Sequence, residues 1–159
     1  MRNLDNIVRD IQISISTRNP YLVLSGQKLT DEEISVLLPH FQNNTDILYL
    51  YLNENSLTKI PKLDLPNLIE LGIMVNNLKE ISNLENIPKL RLLLLSNNNI
   101  TKLDNLKNLP VLEQIFIGKN NISSVGDNIY LPEVTYIGNI NINKADKTKL
   151  TSFCPKLVQ

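Results

Sequence analysis

The chain has 159 residues, with sixteen basic and sixteen acidic side chains that cancel. That length is enough for one domain with a sizeable core, and without a basic run a surface that tracks nucleic-acid phosphates is not expected. No apolar stretch approaches the roughly 20 residues of a membrane span, and a single cysteine, Cys154, rules out an internal disulfide and fits a reducing compartment.

The first twelve residues, MRNLDNIVRDIQ, carry acidic groups and no apolar signal core, so they are not expected to direct secretion. Leu4, Ile7, Val8 and Ile11 keep helical spacing and predict an amphipathic helix that covers the first strand. Residues 19–29, NPYLVLSGQKL, then read as that short strand and a turn. In the connection after it, Thr30 and Glu33 have capping-box spacing, and Ile34, Leu37, Leu38 and Phe41 predict a second helix.

From residue 47 the chain repeats itself. Residues 47–57 read ILYLYLNENSL, 68–78 LIELGIMVNNL, 90–100 LRLLLLSNNNI and 112–122 LEQIFIGKNNI. Each fits L-x-x-L-x-L-x-x-N-x-L, at intervals of 21 to 22 residues. One such unit cannot bury its own apolar face, but stacked units share a continuous core. The inward positions would be Ile47, Leu50 and Leu52; Leu68, Leu71 and Ile73; Leu90, Leu93 and Leu95; Leu112, Ile115 and Ile117. The ninth position is Asn55, Asn76, Asn98 and Asn120. After each strand the backbone bends and its buried N–H and C=O groups need partners. An amide side chain offers donors and an acceptor, so this Asn ladder is read as structural, each amide serving its own turn and that of the next repeat.

These motifs resemble the leucine-rich repeat family. The intervening segments KEISNLENIPKL and TKLDNLKNLPVL resemble its 22-residue class, found in phosphatase regulatory subunits and bacterial internalins. The longer first unit, with Gln27 at the ladder position, resembles the ribonuclease-inhibitor class. The resemblance implies an α/β solenoid, a horseshoe with a parallel sheet on its concave side and capping helices at both ends. The expected division is a helical cap over 1–18, about six repeats over 19–143, and a C-terminal cap over 144–159. In that last cap Leu150, Phe153 and Leu157 would shield the core, while FCPKL also mimics the repeat segment NIPKL at 86–90. Register is expected to be lost at Asn139, which stands where Leu or Ile should be.

Successive strand side chains alternate faces. The third and fifth positions of each unit therefore point out of the core. They hold Tyr21 and Val23, Tyr49 and Tyr51, Glu70 and Gly72, Leu92 and Leu94, Gln114 and Phe116, and Tyr136 and Gly138. Four of the five tyrosines stand in these columns. Met74 and Val75 extend them, and Glu54, Glu70, Asn97, Glu113 and Lys119 would form a polar rim. Across five strands the stripe would cover on the order of 200–300 Å². A contiguous apolar patch with aromatic anchors and a charged rim has the composition of a protein interface.

Groups that could carry chemistry are few. His40, the single histidine, falls in a helical segment beside Phe41, and Cys154 precedes a proline in the terminal cap. Asp31, Glu32 and Glu33 open a helix, where acids favour the dipole. No phosphate-binding glycine loop or zinc-ligand cluster occurs, and neither metal nor cofactor is expected. The sequons at Asn43, Asn99 and Asn121 fit chance in an Asn-rich chain.

The expected function is non-enzymatic: recognition of a partner protein, an enzyme among the candidates, by Tyr21, Tyr49, Tyr51, Glu70, Met74, Leu92, Leu94, Gln114, Phe116 and Tyr136. The domain would be a monomer before binding, with no nucleic-acid partner and no membrane insertion, and would act as a stoichiometric inhibitor or regulator. The alternative is a targeting or substrate-recognition domain of a longer, effector- or ligase-type protein. The patch could also close on a second copy or within a longer parent. The Asn/Ile/Lys bias resembles repeat proteins of low-GC organisms, including bacterial effectors. The expected location is the cytoplasm, or a host cytosol for an effector.

Overall fold

The structure is a computed structural model that describes residues 3–138 and 140–158. Helix α1 (Asp5–Ser16) leads into strand β1 (Tyr21–Val23), then helix α2 (Asp31–Leu37) and a single 3-10 turn (Leu38–His40). Strands β2 (Tyr49–Tyr51), β3 (Glu70–Gly72), β4 (Leu92–Leu94), β5 (Lys102–Leu103), β6 (Gln114–Phe116), β7 (Ser124–Val125) and β8 (Tyr136–Ile137) come next, and helix α3 (Lys144–Phe153) is last. The main sheet has six strands in the order β1-β2-β3-β4-β6-β8, all parallel. Strands β5 and β7 form a second, two-stranded parallel sheet. This is the expected solenoid, with a parallel sheet along it and a helix at each end.

The register follows from the leucine spacing. Leu22, Leu50, Leu71, Leu93, Ile115 and Ile137 pair in one row across the main sheet. The twelve inward residues named from the repeat are all at most 1% exposed. In the four-leucine run, Leu93 and Leu95 are fully buried, whereas Leu92 and Leu94 are half-buried on the other face. A strand of three residues cannot be stable alone; the shared core stabilises it.

The ladder asparagines tie neighbouring turns together. Asn98 Nδ2 donates to Ile73 O (2.9 Å) and Leu95 O (3.0 Å), and its Oδ1 accepts from Leu78 N–H (3.0 Å). Asn55 does the same with Leu24 O, Leu52 O and Leu29 N–H. Asn76 bonds Leu52 O, Met74 O and Leu57 N–H, and Asn120 bonds Leu95 O, Ile117 O and Ile100 N–H. The partners beyond each Asn's own turn belong to the preceding repeat, which corrects the expectation of a bond to the next one. Each amide follows directly on the bend at the eighth position, where Glu54, Val75, Asn97 and Lys119 have φ of 55, 55, 59 and 55°. Gln27, at the corresponding place of the first unit, is exposed.

A second amide series, not recognised from sequence, lies on the other side of the core. Asn83 Nδ2 donates to Ile60 O (2.7 Å) and Asn105 Nδ2 to Ile81 O (3.0 Å). Asn128 Nδ2 reaches Asn105 Oδ1 (3.0 Å). Its signal was present as SNL, DNL and DNI at 82–84, 104–106 and 127–129.

At the N-terminal end Leu4 and Ile11 are buried, with Ile7, Val8 and Ile15 packed against the same core. Helix α2 starts on the expected capping box: Glu33 N–H donates to Thr30 Oγ1 (3.3 Å), and Thr30 N–H to Glu33 Oε2 (3.1 Å). It tightens into the 3-10 turn at Pro39, which has no N–H to continue α-helical bonding. At the other end Leu150 is buried, and Phe153 and Leu157 pack on the core. The loss of register expected at Asn139 lies outside the described residues; β8 beside it pairs with β6 through Tyr136 and Ile137.

Asn98→Leu should lower stability by about 1–3 kcal/mol, because it leaves two carbonyls and one N–H unpaired inside the solenoid. Urea unfolding measures this, and an unchanged midpoint would show that the ladder does not stabilise the turns.

Candidate functional site

The outward columns lie side by side on the main sheet. Tyr21, Tyr49, Glu70, Leu92, Gln114 and Tyr136 pair in one row, and Val23, Tyr51, Gly72, Leu94 and Phe116 in the next. Tyr21, Val23, Phe116 and Tyr136 are exposed to between 37 and 61%. Gln114 is also exposed, and Tyr49, Tyr51, Glu70, Met74, Leu92 and Leu94 are half-buried, each shielded by its neighbours.

Two ring pairs stand in this surface. Tyr21 and Tyr49 stack with centroids 4.5 Å apart and planes 13° from parallel. Phe116 and Tyr136 meet at 5.0 Å and 43°. Offset and tilted contacts of this kind hold ring positions at about 0.5–1.5 kcal/mol each beyond area burial. The aliphatic pair Leu92 and Leu94 stands between them on β4.

Tyr51 is different. Its ring leans over Gly72, where a side-chain carbon would come 2.8 Å from Tyr51 Cδ1. Its hydroxyl donates to Glu70 Oε1 at 2.9 Å. Burial, followed by the hydrogen bond and negative charge of Glu70, pushes the phenol up to about 12. Glycine at 72 therefore makes room for an aromatic ring laid across β3, and Glu70 fixes the ring's outer end. Asn53, which no sequence signal singled out, helps from below: its Oδ1 accepts from Met74 N–H at 2.8 Å.

At the margin, Arg91 reaches Glu113 Oε1 through Nη2 (2.6 Å) and Nε (2.9 Å), both side chains being largely exposed. Exposed pairs of this type add little stability. Val75 is 49% exposed and holds φ 55°, a left-handed conformation that a β-branched side chain tolerates poorly.

The remaining reactive groups are placed structurally. Cys154 is fully buried, and burial pushes its thiol up to about 11. A nucleophilic cysteine requires a shift in the opposite direction. His40 lies exposed on the 3-10 turn. Asp31 accepts the N–H and hydroxyl of Thr58, and Glu33 belongs to the capping box. Among the described residues no cluster of His, Cys, Asp or Glu could hold a metal ion, and no helix is long and apolar enough to cross a membrane.

On the opposite side, Asp104 pairs with Lys102 (2.8 Å) and accepts from Asn105 and Asn128 N–H, both at 3.0 Å. Burial opposes its ionisation, but these partners outweigh it and hold the carboxyl below its usual range. The carboxylate lies against Gly126, where any side chain would collide with it. These contacts join one turn to the next.

No protein-family model matches the chain, and no curated protein does. Among solved structures it is similar to a leucine-rich repeat protein of Leptospira interrogans, with a TM-score of 0.41 and 19% identity over 80% of this chain and 50% of that one. The chain thus spans about half the length of that protein. At that identity nothing about ligand or partner passes from one to the other.

Two substitutions probe this surface. The folded state holds the Tyr51 proton more tightly than the unfolded chain does, so this stabilisation is complete below pH 10.0 and is lost as pH rises through about 12. Wild type should therefore lose stability in that window, and Tyr51→Phe should lack that component. An identical alkaline profile for both proteins in urea unfolding would show that the Tyr51–Glu70 contact does not form. Val75→Asn places at 75 the residue that position 97 uses for the same backbone turn, and should stabilise by about 1 kcal/mol. A fall in the unfolding midpoint would mean that position 75 carries no strain.

Proposed function

We propose that this solenoid is a protein-recognition domain that binds a partner protein through the concave face of its main sheet. The observation that supports this reading is the contrast between adjacent columns. The inward residues are sealed, while the outward columns keep Tyr21, Tyr49, Leu92, Leu94, Phe116 and Tyr136 at least partly open on strands in register. Nothing in core packing requires aromatic rings at those positions. A row of rings and leucines beside a charged margin is what a partner's apolar projection would use as an anchor surface.

The surface is also prepared before binding. The two ring pairs and the Tyr51–Glu70 bond hold side chains that would otherwise have to be ordered on association. Such a surface suits a stoichiometric inhibitor or regulator, which acts by covering a functional region of its partner. Binding, and not catalysis, is the role proposed, in keeping with a thiol shut inside the core and a histidine on an exposed turn.

Leu93 and Leu94 separate folding from binding. Leu93→Ala empties a sealed site and should cost about 2–5 kcal/mol of stability. Leu94→Ala, on the half-buried outer face, should cost about 1 kcal/mol or less. Leu94→Glu should keep the circular dichroism of wild type yet weaken partner binding by about 2 kcal/mol or more, since association would bury an unpaired charge. The partner is first captured from the native proteome on wild-type protein beside Leu94→Glu, and the affinities are then measured by calorimetry. Equal affinities would exclude the concave face as the binding surface.

A further inference from the structure

The two ends of the solenoid are finished differently. At the N-terminal end, α1 lays Leu4 and Ile11 into the core and presents Asn6, Arg9 and Asp10 outward. At the C-terminal end, an open cavity of about 570 Å³ has the aliphatic side chains of Ile137, Ile140, Ile142, Leu150 and Leu157 on its wall together with the polar ones of Asn141, Lys147 and Thr151. Leu157 and Ile137 are only partly buried, although the residues above them in the same columns (Leu68, Leu90, Leu112 and Val134; Leu50, Leu71, Leu93 and Ile115) are all 0% exposed.

The backbone at this end repeats the junction that enters β3, β4, β6 and β8. Each of these four strands is entered through a buried residue, a proline, a variable residue and an aliphatic one: Leu65-Pro66-Asn67-Leu68, Ile87-Pro88-Lys89-Leu90, Leu109-Pro110-Val111-Leu112 and Leu131-Pro132-Glu133-Val134. The aliphatic N–H returns to the first carbonyl at 3.1, 3.2, 3.3 and 3.4 Å. The following residue then donates to the preceding strand's entry: Ile69 to Leu48 O, Arg91 to Ile69 O, Glu113 to Arg91 O and Thr135 to Glu113 O, at 2.8 to 2.9 Å. Cys154-Pro155-Lys156-Leu157 does the same, with Leu157 N–H on Cys154 O (3.0 Å), and Val158 N–H donates to Thr135 O (3.1 Å). Cys154 occupies the core column of Leu65, Ile87, Leu109 and Leu131 and is equally buried. Helix α3 fills the place a β5- or β7-type strand holds in earlier turns. Asp146 Oδ1 accepts from Val125 N–H (3.1 Å), and Lys149 Nζ donates to Val125 O (3.1 Å).

We propose that the C-terminal face is a repeat junction that receives one further turn of leucine-rich chain, continuing from Val158 with its strand parallel to β8. Leu157 and Val158 already occupy the first two places of that strand. An apolar side chain at its fourth place would fall over Ile137, as Ile115 falls over Leu93. A second copy fits this face less well, because the start of the next strand already sits at the β8 edge.

The test compares the 159-residue chain with an extended one, in which a copy of residues 92–111 follows Val158 in place of Gln159. A control extension carries serine at the copies of Leu93 and Leu95. The leucine extension should raise the thermal midpoint by about 5 °C or more. It should also slow amide exchange in segments 134–142 and 154–158 by about tenfold. The control should do neither. An extension without these effects, or a control that matches it, would overturn the proposal. So would a 159-residue chain that sediments as a dimer with segment 134–142 already protected, since a second copy would then cover the face.

Discussion

A leucine-rich turn must bend its backbone sharply beneath a dry core, and the bend leaves peptide groups with no water to bond. Asn55, Asn76, Asn98 and Asn120 meet that constraint by donating to two or more carbonyls and accepting from one N–H, across two adjacent turns. A leucine at the same place would bury as well but satisfy nothing. Because each amide reaches back to the turn before it, the ladder also sets the stacking register. The leucine columns line up because successive turns are bonded both at this height and along the parallel sheet. The rest of the molecule depends on that alignment.

The outer face of the sheet inherits the same register. Once Leu50, Leu71, Leu93 and Ile115 are stacked, the residues beside them must form rows on the opposite side. The side-chain types there decide whether the rows become a solvated surface or an interface. In this chain they include two ring pairs and a tyrosine laid over a glycine. The glycine is informative because it is the smaller partner of a large residue: with a side chain at 72, Tyr51 could not lie flat on β3 or reach Glu70. The concave surface is therefore shaped by pairs across strands and not by single exposed residues.

The opposite side shows a related economy. Asn83 and Asn105 each bond a carbonyl one turn back, and Asp104 gathers Lys102, Asn105 and Asn128 against Gly126. The side chains there are polar, and they join turns without adding core. Stability in such a stack is close to a sum over neighbouring interfaces. The condition of each end then matters as much as the middle: α1 closes one end with apolar side chains, and the other leaves the columns of Ile137 and Leu157 partly uncovered.

The sequence by itself determined the solenoid, its parallel sheet and the division of Leu92–Leu95 between core and surface. The reason is that a period of 21 to 22 residues and a strand alternation of two leave a single consistent stacking. The capping box at Thr30 and Glu33 was legible for the same reason: it is a contact between residues three apart. What only the tertiary structure decided are contacts between residues about one turn apart, where spacing says which rows exist but not how side chains lean. The backward direction of the Asn ladder, the fall of Tyr51 over Gly72 and onto Glu70, and the Asp104 contact with Gly126 all belong to this class. The amide series at Asn83, Asn105 and Asn128 was visible as a spacing, yet no local rule assigns an amide in a connecting loop to a carbonyl of the turn before it. That assignment requires the turns to be stacked first.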